Sequence, residues 1–231
     1  MKIGVFSDIH GNKFALEQVL IEARKENLTK LLVLGDIVGY YYHPDKALDL
    51  LSDWDFLMIK GNHEEILFDI IDGFESNKKI KKKYGSGHQC AIKKLSKNHL
   101  NLLRSLPETN ALSFDGVSIL MTHGSPWCKD LYVYPDANLE VIRKFDDFNY
   151  DFILFGHTHY ACSFKTDNGW ALNPGSIGQS RQNGGKASWA IIDTSNKSFQ
   201  MKTTDYNTKK LLNEVLEKDN EVTYLSEILN R

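Results

Sequence analysis

Leu31-Leu32-Val33-Leu34-Gly35-Asp36 decides how the chain is read: five apolar or small residues run without polar alternation into a single carboxylate. Such a run predicts a strand buried on both faces, as in a parallel sheet covered by helices. In sheets of that kind, ligands bind just beyond the carboxyl ends of the strands. Asp36 would then stand at the rim of a rigid core with its charge aimed into a crevice. One strand end proves little, so the weight falls on the other runs that end the same way.

Upstream, Lys2 to Phe6 is a first apolar strand that delivers Ser7-Asp8-Ile9-His10-Gly11. Asn12 is placed to cap a helix in which Leu16, Val19, Leu20 and Ala23 share one face. Downstream, Pro44 suits the first turn of a helix through Leu51. Phe56 to Ile59 forms a third strand and runs out at Lys60-Gly61-Asn62-His63-Glu64, followed by a helix with Ile66, Leu67, Ile70 and Ile71 on one stripe. This β-α-β-α-β-α alternation predicts a parallel sheet sandwiched by helices.

The middle of the chain is more helical. Lys78 to Lys83, beside Gly85-Ser86-Gly87, reads as an exposed, solvated loop, because no aromatics are interleaved to stack on nucleic acid. Two helical segments end at Pro107, and Asp115-Gly116 signals a hairpin whose second arm runs into Thr122-His123-Gly124. A helix is expected from about Ala137 to Phe145. Phe152 to Phe155 is the next buried run and ends in Gly156-His157-Thr158-His159. Antiparallel signals follow, with Asn173-Pro174-Gly175-Ser176 at another rim and a closing hairpin around Asn196. Two amphipathic helices complete the tail. The expected architecture is α/β (mixed α+β), a four-layer αββα sandwich of two mixed sheets flanked by helices. It is read as one domain over 1–231 with a helical tail from about 206.

The 231 residues carry 28 basic and 30 acidic side chains, a formal charge of −2, so no global basic field favours nucleic acid. No apolar run is long enough to span a bilayer, and the N-terminus turns polar at Ser7-Asp8, too early for a signal peptide. Cys90, Cys128 and Cys162 are odd in number and scattered, which fits reduced thiols in a cytoplasm. A cytoplasmic protein with no membrane partner is the expectation.

Five runs end in Asp8 and His10, in Asp36, in Asn62 and His63, in His123, and in His157 and His159. Each residue alone has a plain structural use: a helix cap, a turn, a hydrogen-bonded rim. Independent uses would scatter them, yet five of the eight histidines sit at the ends of buried runs. The set offers carboxylate, amide and imidazole donors without thiolate, a mixture suited to Mn²⁺, Fe²⁺, Zn²⁺ or Co²⁺. There are too many groups for one ion, and two ions about 3.5–4 Å apart are the arrangement used for in-line displacement at phosphorus.

Asp8-Ile9-His10, Gly35-Asp36, Gly61-Asn62-His63-Glu64, His123-Gly124 and Gly156-His157-Thr158-His159 together resemble the five ordered blocks of the calcineurin-like metallophosphoesterase superfamily. Ser7 to Asn12, Gly35 to Tyr40 and Asn173 to Gln179 narrow the resemblance to its small single-domain prokaryotic phosphodiesterase branch. It extends from residue 1 to about 193. The resemblance implies that Asp8, His10 and His159 hold a first ion, that Asn62, His123 and His157 hold a second, and that Asp36 bridges them. It implies a bridging water or hydroxide as nucleophile, with His63 protonating the leaving oxygen or bonding the phosphate. The expected cofactor is two divalent ions per chain, Mn²⁺ ahead of Fe²⁺, Zn²⁺, Ni²⁺, Co²⁺ or Mg²⁺.

The expected substrate is a small phosphodiester or nucleotide. The alternatives are a phosphomonoesterase or protein phosphatase on the same site, or an inactive scaffold of the same fold. Arg181 is a candidate contact for a substrate phosphate. The branch commonly continues Gly39-Tyr40 with Gly-Pro, but here Tyr41-Tyr42-His43-Pro44 follows, so Tyr41 or Tyr42 is a candidate platform for an aryl or nucleobase group. The tail helices either pack on the domain or form a homo-oligomer interface.

Overall fold

The computed structural model describes residues 1–231. Two five-stranded mixed sheets pack face to face. The first contains β1 (Lys2–Phe6), β2 (Lys30–Val33), β3 (Asp55–Met58), β9 (Lys186–Asp193) and β10 (Ser198–Asp205), in the order β10-β9-β1-β2-β3. Its β1, β2 and β3 are parallel, while β9 and β10 add antiparallel. The second contains β4 (Thr109–Phe114), β5 (Val117–Thr122), β6 (Phe152–Leu154), β7 (Ala161–Lys165) and β8 (Trp170–Pro174), in the order β4-β5-β6-β8-β7. There β5, β6 and β8 are parallel.

Side-chain alternation explains how the layers assemble. Ile3, Val5, Leu32 and Leu34 of the first sheet meet Ile119, Met121, Phe152, Leu154 and Leu172 of the second in one buried cluster between the sheets. The opposite face of the first sheet, with Phe6, Leu31 and Val33, packs under α1 (Lys13–Lys25), α2 (Pro44–Leu51), α3 (Asn62–Ile71), α5 (Gly87–Lys94) and α6 (Lys97–Ser105). The outer face of the second sheet is covered by Phe145 and Val133, from the segment around the short helix α7 (Leu139–Arg143). The layer order is the expected αββα. The Asp115-Gly116 turn has both residues at positive φ, 51° and 77°, the geometry that lets two-residue hairpins follow the strand twist.

Two local readings change. Lys78 to Lys83 is not a loop but most of helix α4 (Asn77–Tyr84). Ser76 caps it, lysine is a good helix former, and Ile80 provides its one buried anchor. The expected helix over Ala137 to Phe145 is shorter, starting at Leu139 and tightening into a 3₁₀ turn over Lys144–Asp147. At the C-terminus, α8 (Thr208–Lys218) and α9 (Tyr224–Glu227) pack back on the body of the protein. No helix is long and apolar enough to cross a membrane.

Candidate metal centre

The carboxyl ends of β1, β2, β5 and β6 lie together, with hydrogen bonds joining neighbouring strand ends within each sheet and that from His157 to Asp8 crossing between the sheets. His10 N–H donates to Asp36 O at 2.9 Å, Gly11 N–H to Ile37 O at 2.7 Å, and Gly156 N–H to His123 O at 2.8 Å. Asn173 Nδ2 donates to Gly156 O at 2.8 Å, and His157 N–H to the Asp8 carboxylate at 3.1 Å. Asp8, His10, Asp36, His63, His123, His157 and His159 are all buried, and Asn62 is partly exposed at the start of α3. The donor atoms fall into overlapping groups: Asp8 with His10 and His159, Asp36 with His123 and His157, and Asp36 again with His10 and His63.

Backbone strain is concentrated at this end of the sheets. Nine non-glycine residues have positive φ, and six of them are Asp8, His10, Asp36, Tyr40, His157 and His159. Asp and His tolerate that region better than most residues, but each such conformation costs on the order of 1–3 kcal/mol. Strain of this kind persists only where surrounding contacts over-determine it. Around Asp36, Glu64 supplies those contacts. Its fully buried carboxylate accepts from Asp36 N–H and Gly61 N–H, both at 2.8 Å, from Ile37 N–H at 2.9 Å and from Val38 N–H at 3.2 Å. Burial and the nearby Asp36 push its pKa up to about 7, while these N–H groups pull it back. Four donors aimed at two oxygens fit the ionised form.

The imidazole tautomers are set by backbone carbonyls. His10 Nδ1 faces Val38 O at 2.8 Å, His159 Nδ1 faces Gln179 O at 3.0 Å, and His123 Nδ1 faces Leu34 O at 2.6 Å. A carbonyl accepts only, so each Nδ1 carries a proton and each Nε2 is the atom turned inward, a lone pair on neutral imidazoles and, on His123 without metal, a second proton held by Asp36. His10 Nε2 then meets His159 Nε2 at 3.0 Å. His123 Nε2 meets Asn62 Oδ1 at 3.0 Å, His157 Nδ1 at 3.2 Å and Asp36 Oδ2 at 3.3 Å. Asp8 Oδ1 and His157 Nε2 are buried with no hydrogen-bond partner. The Nε2 lone pairs of His10 and His159, facing each other beside two carboxylates, are repulsive unless positive charge sits between them. Nitrogen and oxygen donors without thiolate are what borderline divalent ions prefer, so the residues present fit a metal centre.

The same crowding predicts how the metal-free protein responds to pH. Burial, with the adjoining His159, pushes His10 down to about 3. Burial, with His123, pushes His157 down to about 4, and burial pushes His88 down to about 4. His123 goes the other way: burial opposes its proton, but Asp36 and Asp8 hold it up to about 10. Between about pH 6.5 and 4 the unfolded chain binds protons at His10, His88 and His157 that the folded chain refuses, so stability falls with falling pH. Above about pH 6.5 only the folded state keeps the His123 proton, so stability declines again toward pH 10. The urea midpoint of chelator-treated protein should therefore peak near neutrality, and a flat profile would contradict this charge arrangement.

His63 follows Asn62, and its backbone N–H donates to Asp36 Oδ1 at 2.8 Å. Its ring is boxed by His10 at 4.8 Å, Tyr40 and Tyr84 both at 4.9 Å, and His88 stacked at 5.1 Å. Its Nδ1 rests against Gly39, where any Cβ would collide with the ring. Burial and the neighbouring imidazoles His10, His88 and His159 hold its pKa well below the ordinary value despite the Asp36 charge. Arg181 lies at the same rim, with Nε on Tyr224 Oη at 3.1 Å.

Tyr41 and Tyr42 are not at the mouth. Both are fully buried under the C-terminal helices, Tyr41 Oη donating to Leu225 O at 3.2 Å and Tyr42 Oη to Asp219 at 3.0 Å. A stacked substrate ring cannot reach them, so that expectation is corrected. The aromatics beside the centre are instead Tyr40, Tyr84 and Tyr132, the last 3.9 Å from the His157 ring and 46% exposed. Sequence reading missed them, since Tyr84 and Tyr132 lie outside any strand-end motif. It also missed the role of Glu64, whose only signal was a carboxylate at the third position of a helix. A cleft of about 260 Å³ opens beside Asn62 and His123, with Lys60, Glu65, Trp127 and Lys129 on its walls.

Residues 1–197 match the calcineurin-like phosphoesterase superfamily domain. An uncharacterized protein of Methanocaldococcus jannaschii is 31% identical over 235 residues, covering 93% of this chain and 91% of its own length. Among solved structures, a hypothetical protein of Pyrococcus horikoshii OT3 has a TM-score of 0.80 at 22% identity, covering 99% of this chain and 97% of that one. A metallophosphoesterase from Sphaerobacter thermophilus has a TM-score of 0.77 at 23% identity, covering 99% and 100%. These two likenesses concern the fold. With five motif blocks at one end of an αββα sandwich and a domain match over most of its length, the chain belongs to the calcineurin-like phosphoesterase superfamily.

Proposed function

We propose that the chain is a divalent-metal-dependent phosphoesterase that hydrolyses small phosphodiesters or nucleotides at a two-ion centre. Asp8, His10 and His159 would hold one ion, Asn62, His123 and His157 the other, and Asp36 would reach both. The observation that carries this reading is the inward set of imidazole Nε2 atoms, turned there by the carbonyls of Val38, Gln179 and Leu34. When bound there, two such ions supply an acidified water as nucleophile and positive charge for the phosphoryl oxygens. Mn²⁺ is the ion to load first.

The protein's own share is orientation and proton delivery. His63 is held by Asp36 through its backbone and by three aromatic neighbours through its ring, so it has little freedom to turn away from the substrate. A rigid imidazole beside the centre is suited to bond a phosphoryl oxygen or, once the negative charge of a bound phosphoester restores the proton that burial disfavours, to give that proton to the leaving oxygen. If it gives that proton, His63→Gln should lower kcat about 10²–10³-fold for an alkyl leaving group and far less for p-nitrophenolate, which leaves without protonation. Metal content, read by elemental analysis, should be unchanged. Equal losses on both leaving groups would reduce His63 to a phosphate contact. Arg181 adds a cation on the His159 side for a phosphoryl oxygen.

The test is steady-state hydrolysis of bis-p-nitrophenyl phosphate against p-nitrophenyl phosphate by Mn²⁺-loaded protein. Faster turnover of the diester is expected. A clear preference for the mono-ester would move the reading to a phosphomonoesterase, including a protein phosphatase. No turnover of any phosphoester by protein carrying its ions would overturn it in favour of a binding protein.

A further inference from the structure

The C-terminal segment lies beyond the matched family domain, which ends at residue 197, yet it reaches the candidate centre. Tyr224, the first residue of α9, accepts a hydrogen bond from Arg181 Nε at 3.1 Å and donates to Gln179 Oε1 at 3.1 Å. One hydroxyl can make both bonds, since it has one proton and two lone pairs. The backbone between those two partners is tied to a candidate ligand, for Gln179 O meets His159 Nδ1 at 3.0 Å and Arg181 N–H donates to His159 O at 3.2 Å. The Tyr224 ring also lies 6.5 Å from that of Tyr40, which sits 4.6 Å from the His10 ring.

Arg181 is otherwise short of partners. Its remaining hydrogen bond is from Nη1 to Thr158 O at 3.5 Å, and no ion pair joins it to a carboxylate. A guanidinium has five N–H donors in a planar fork that matches a phosphoryl group. Here the Nε edge is spent on a neutral hydroxyl, which fixes the plane of the fork and leaves its outer donors for an anion. Holding a flexible side chain in its binding rotamer beforehand lowers the ordering cost at the moment of binding.

The tail is fastened firmly enough to do this. Tyr41 Oη donates to Leu225 O, next to Tyr224. Tyr42 Oη donates to Asp219, which also accepts from Ser86 N–H at 2.8 Å and Ser86 Oγ at 2.6 Å. Gly184 lies so close to Ile228 O that a Cβ there would collide, so the loop after Arg181 rests directly on the last turn of the chain. The two buried tyrosines thus serve as the anchor of the segment that carries Tyr224.

We infer that Tyr224 is a positioning residue for substrate binding, and that the C-terminal segment completes the site by orienting Arg181 toward a phosphoryl group. The inference rests on the phosphoesterase reading of the centre. In the Mn²⁺-loaded full chain, Tyr224→Phe should raise KM for bis-p-nitrophenyl phosphate roughly three- to tenfold with little change in kcat, the size expected for losing the net contribution of one ordinary hydrogen bond. Metal stoichiometry should stay as in the parent, and the unfolding midpoint should fall only by the worth of the lost hydroxyl's bonds to Arg181 and Gln179. Arg181→Ala should raise KM further, and adding Tyr224→Phe to it should then have no further effect. Calorimetric titration with inorganic phosphate reads the same pair without turnover, and both single variants should weaken it. If Arg181→Ala weakens phosphate binding while Tyr224→Phe leaves it and KM unchanged, the inference fails and the phosphoesterase reading stands. An undiminished Tyr224→Phe effect in the Arg181→Ala background would also overturn it. Loss of turnover in the parent protein with phosphate binding intact and sensitive to both variants would strike the reading and leave the positioning role in place.

Discussion

On the proposed two-ion reading, replacing Asp36 by Asn is expected to weaken both ions together and to lower kcat/KM by roughly 10³-fold or more, the worth of several kcal/mol of charge stabilisation. Asp36 Oδ2 lies 3.3 Å from His123 Nε2 and 3.8 Å from His10 Nε2, so one carboxylate faces both groups of donors. Its other oxygen accepts from His63 N–H at 2.8 Å, a bond that an amide oxygen can also accept. The Asp36→Asn variant therefore keeps shape and loop geometry while losing the charge. Titration with Mn²⁺ followed by calorimetry should show both affinities falling in that variant. His10→Ala or Asn62→Ala should weaken mainly one site each. Two ions bound at parental affinity by the Asp36→Asn variant would remove Asp36 from the shared position.

Glu64→Ala should be the most damaging change away from the donor atoms, destabilising the fold by about 3–5 kcal/mol. Truncation leaves four buried N–H groups, those of Asp36, Ile37, Val38 and Gly61, without the acceptor they share. These donors sit where Asp36 and Tyr40 are held at positive φ, so the loop would relax as its acceptor disappears. Glu64→Gln should cost less, about 2–3 kcal/mol, because one oxygen remains while an NH₂ group is turned against two donors. Urea unfolding of metal-free protein isolates this effect from metal loading. A loss under about 1 kcal/mol for the alanine variant would mean that water satisfies the loop as well as Glu64 does.

How much of this was legible in the chain depends on the kind of residue. Asp8, His10, Asp36, Asn62, His123, His157 and His159 could be picked out because each follows an apolar run, and strand ends of a parallel sheet gather at one edge. The tyrosines could not be sorted that way. Tyr40, Tyr41 and Tyr42 are chemically identical neighbours, yet Tyr40, at a φ of 52°, sets its ring against His10 and His63 while the hydroxyls of the next two bond to the tail. Lys78 to Lys83 misled because a charged run looks the same in a solvated loop and on a solvated helix. The single apolar Ile80 and the Ser76 cap are weak marks of the difference.

Composition and order alone determined the layers, the strand ends and the donor set, because side-chain periodicity and burial of apolar runs are local properties written along the chain. Whether those donors meet, and what surrounds them, was decided only by tertiary structure. The carbonyls of Val38, Leu34 and Gln179 that set the imidazole tautomers lie 28, 89 and 20 residues from the rings they face. Tyr224 is 43 residues from the guanidinium it holds. Contacts of that kind depend on backbone angles that other parts of the fold impose, such as the positive φ values at the strand ends that Glu64 and the facing loops hold in place.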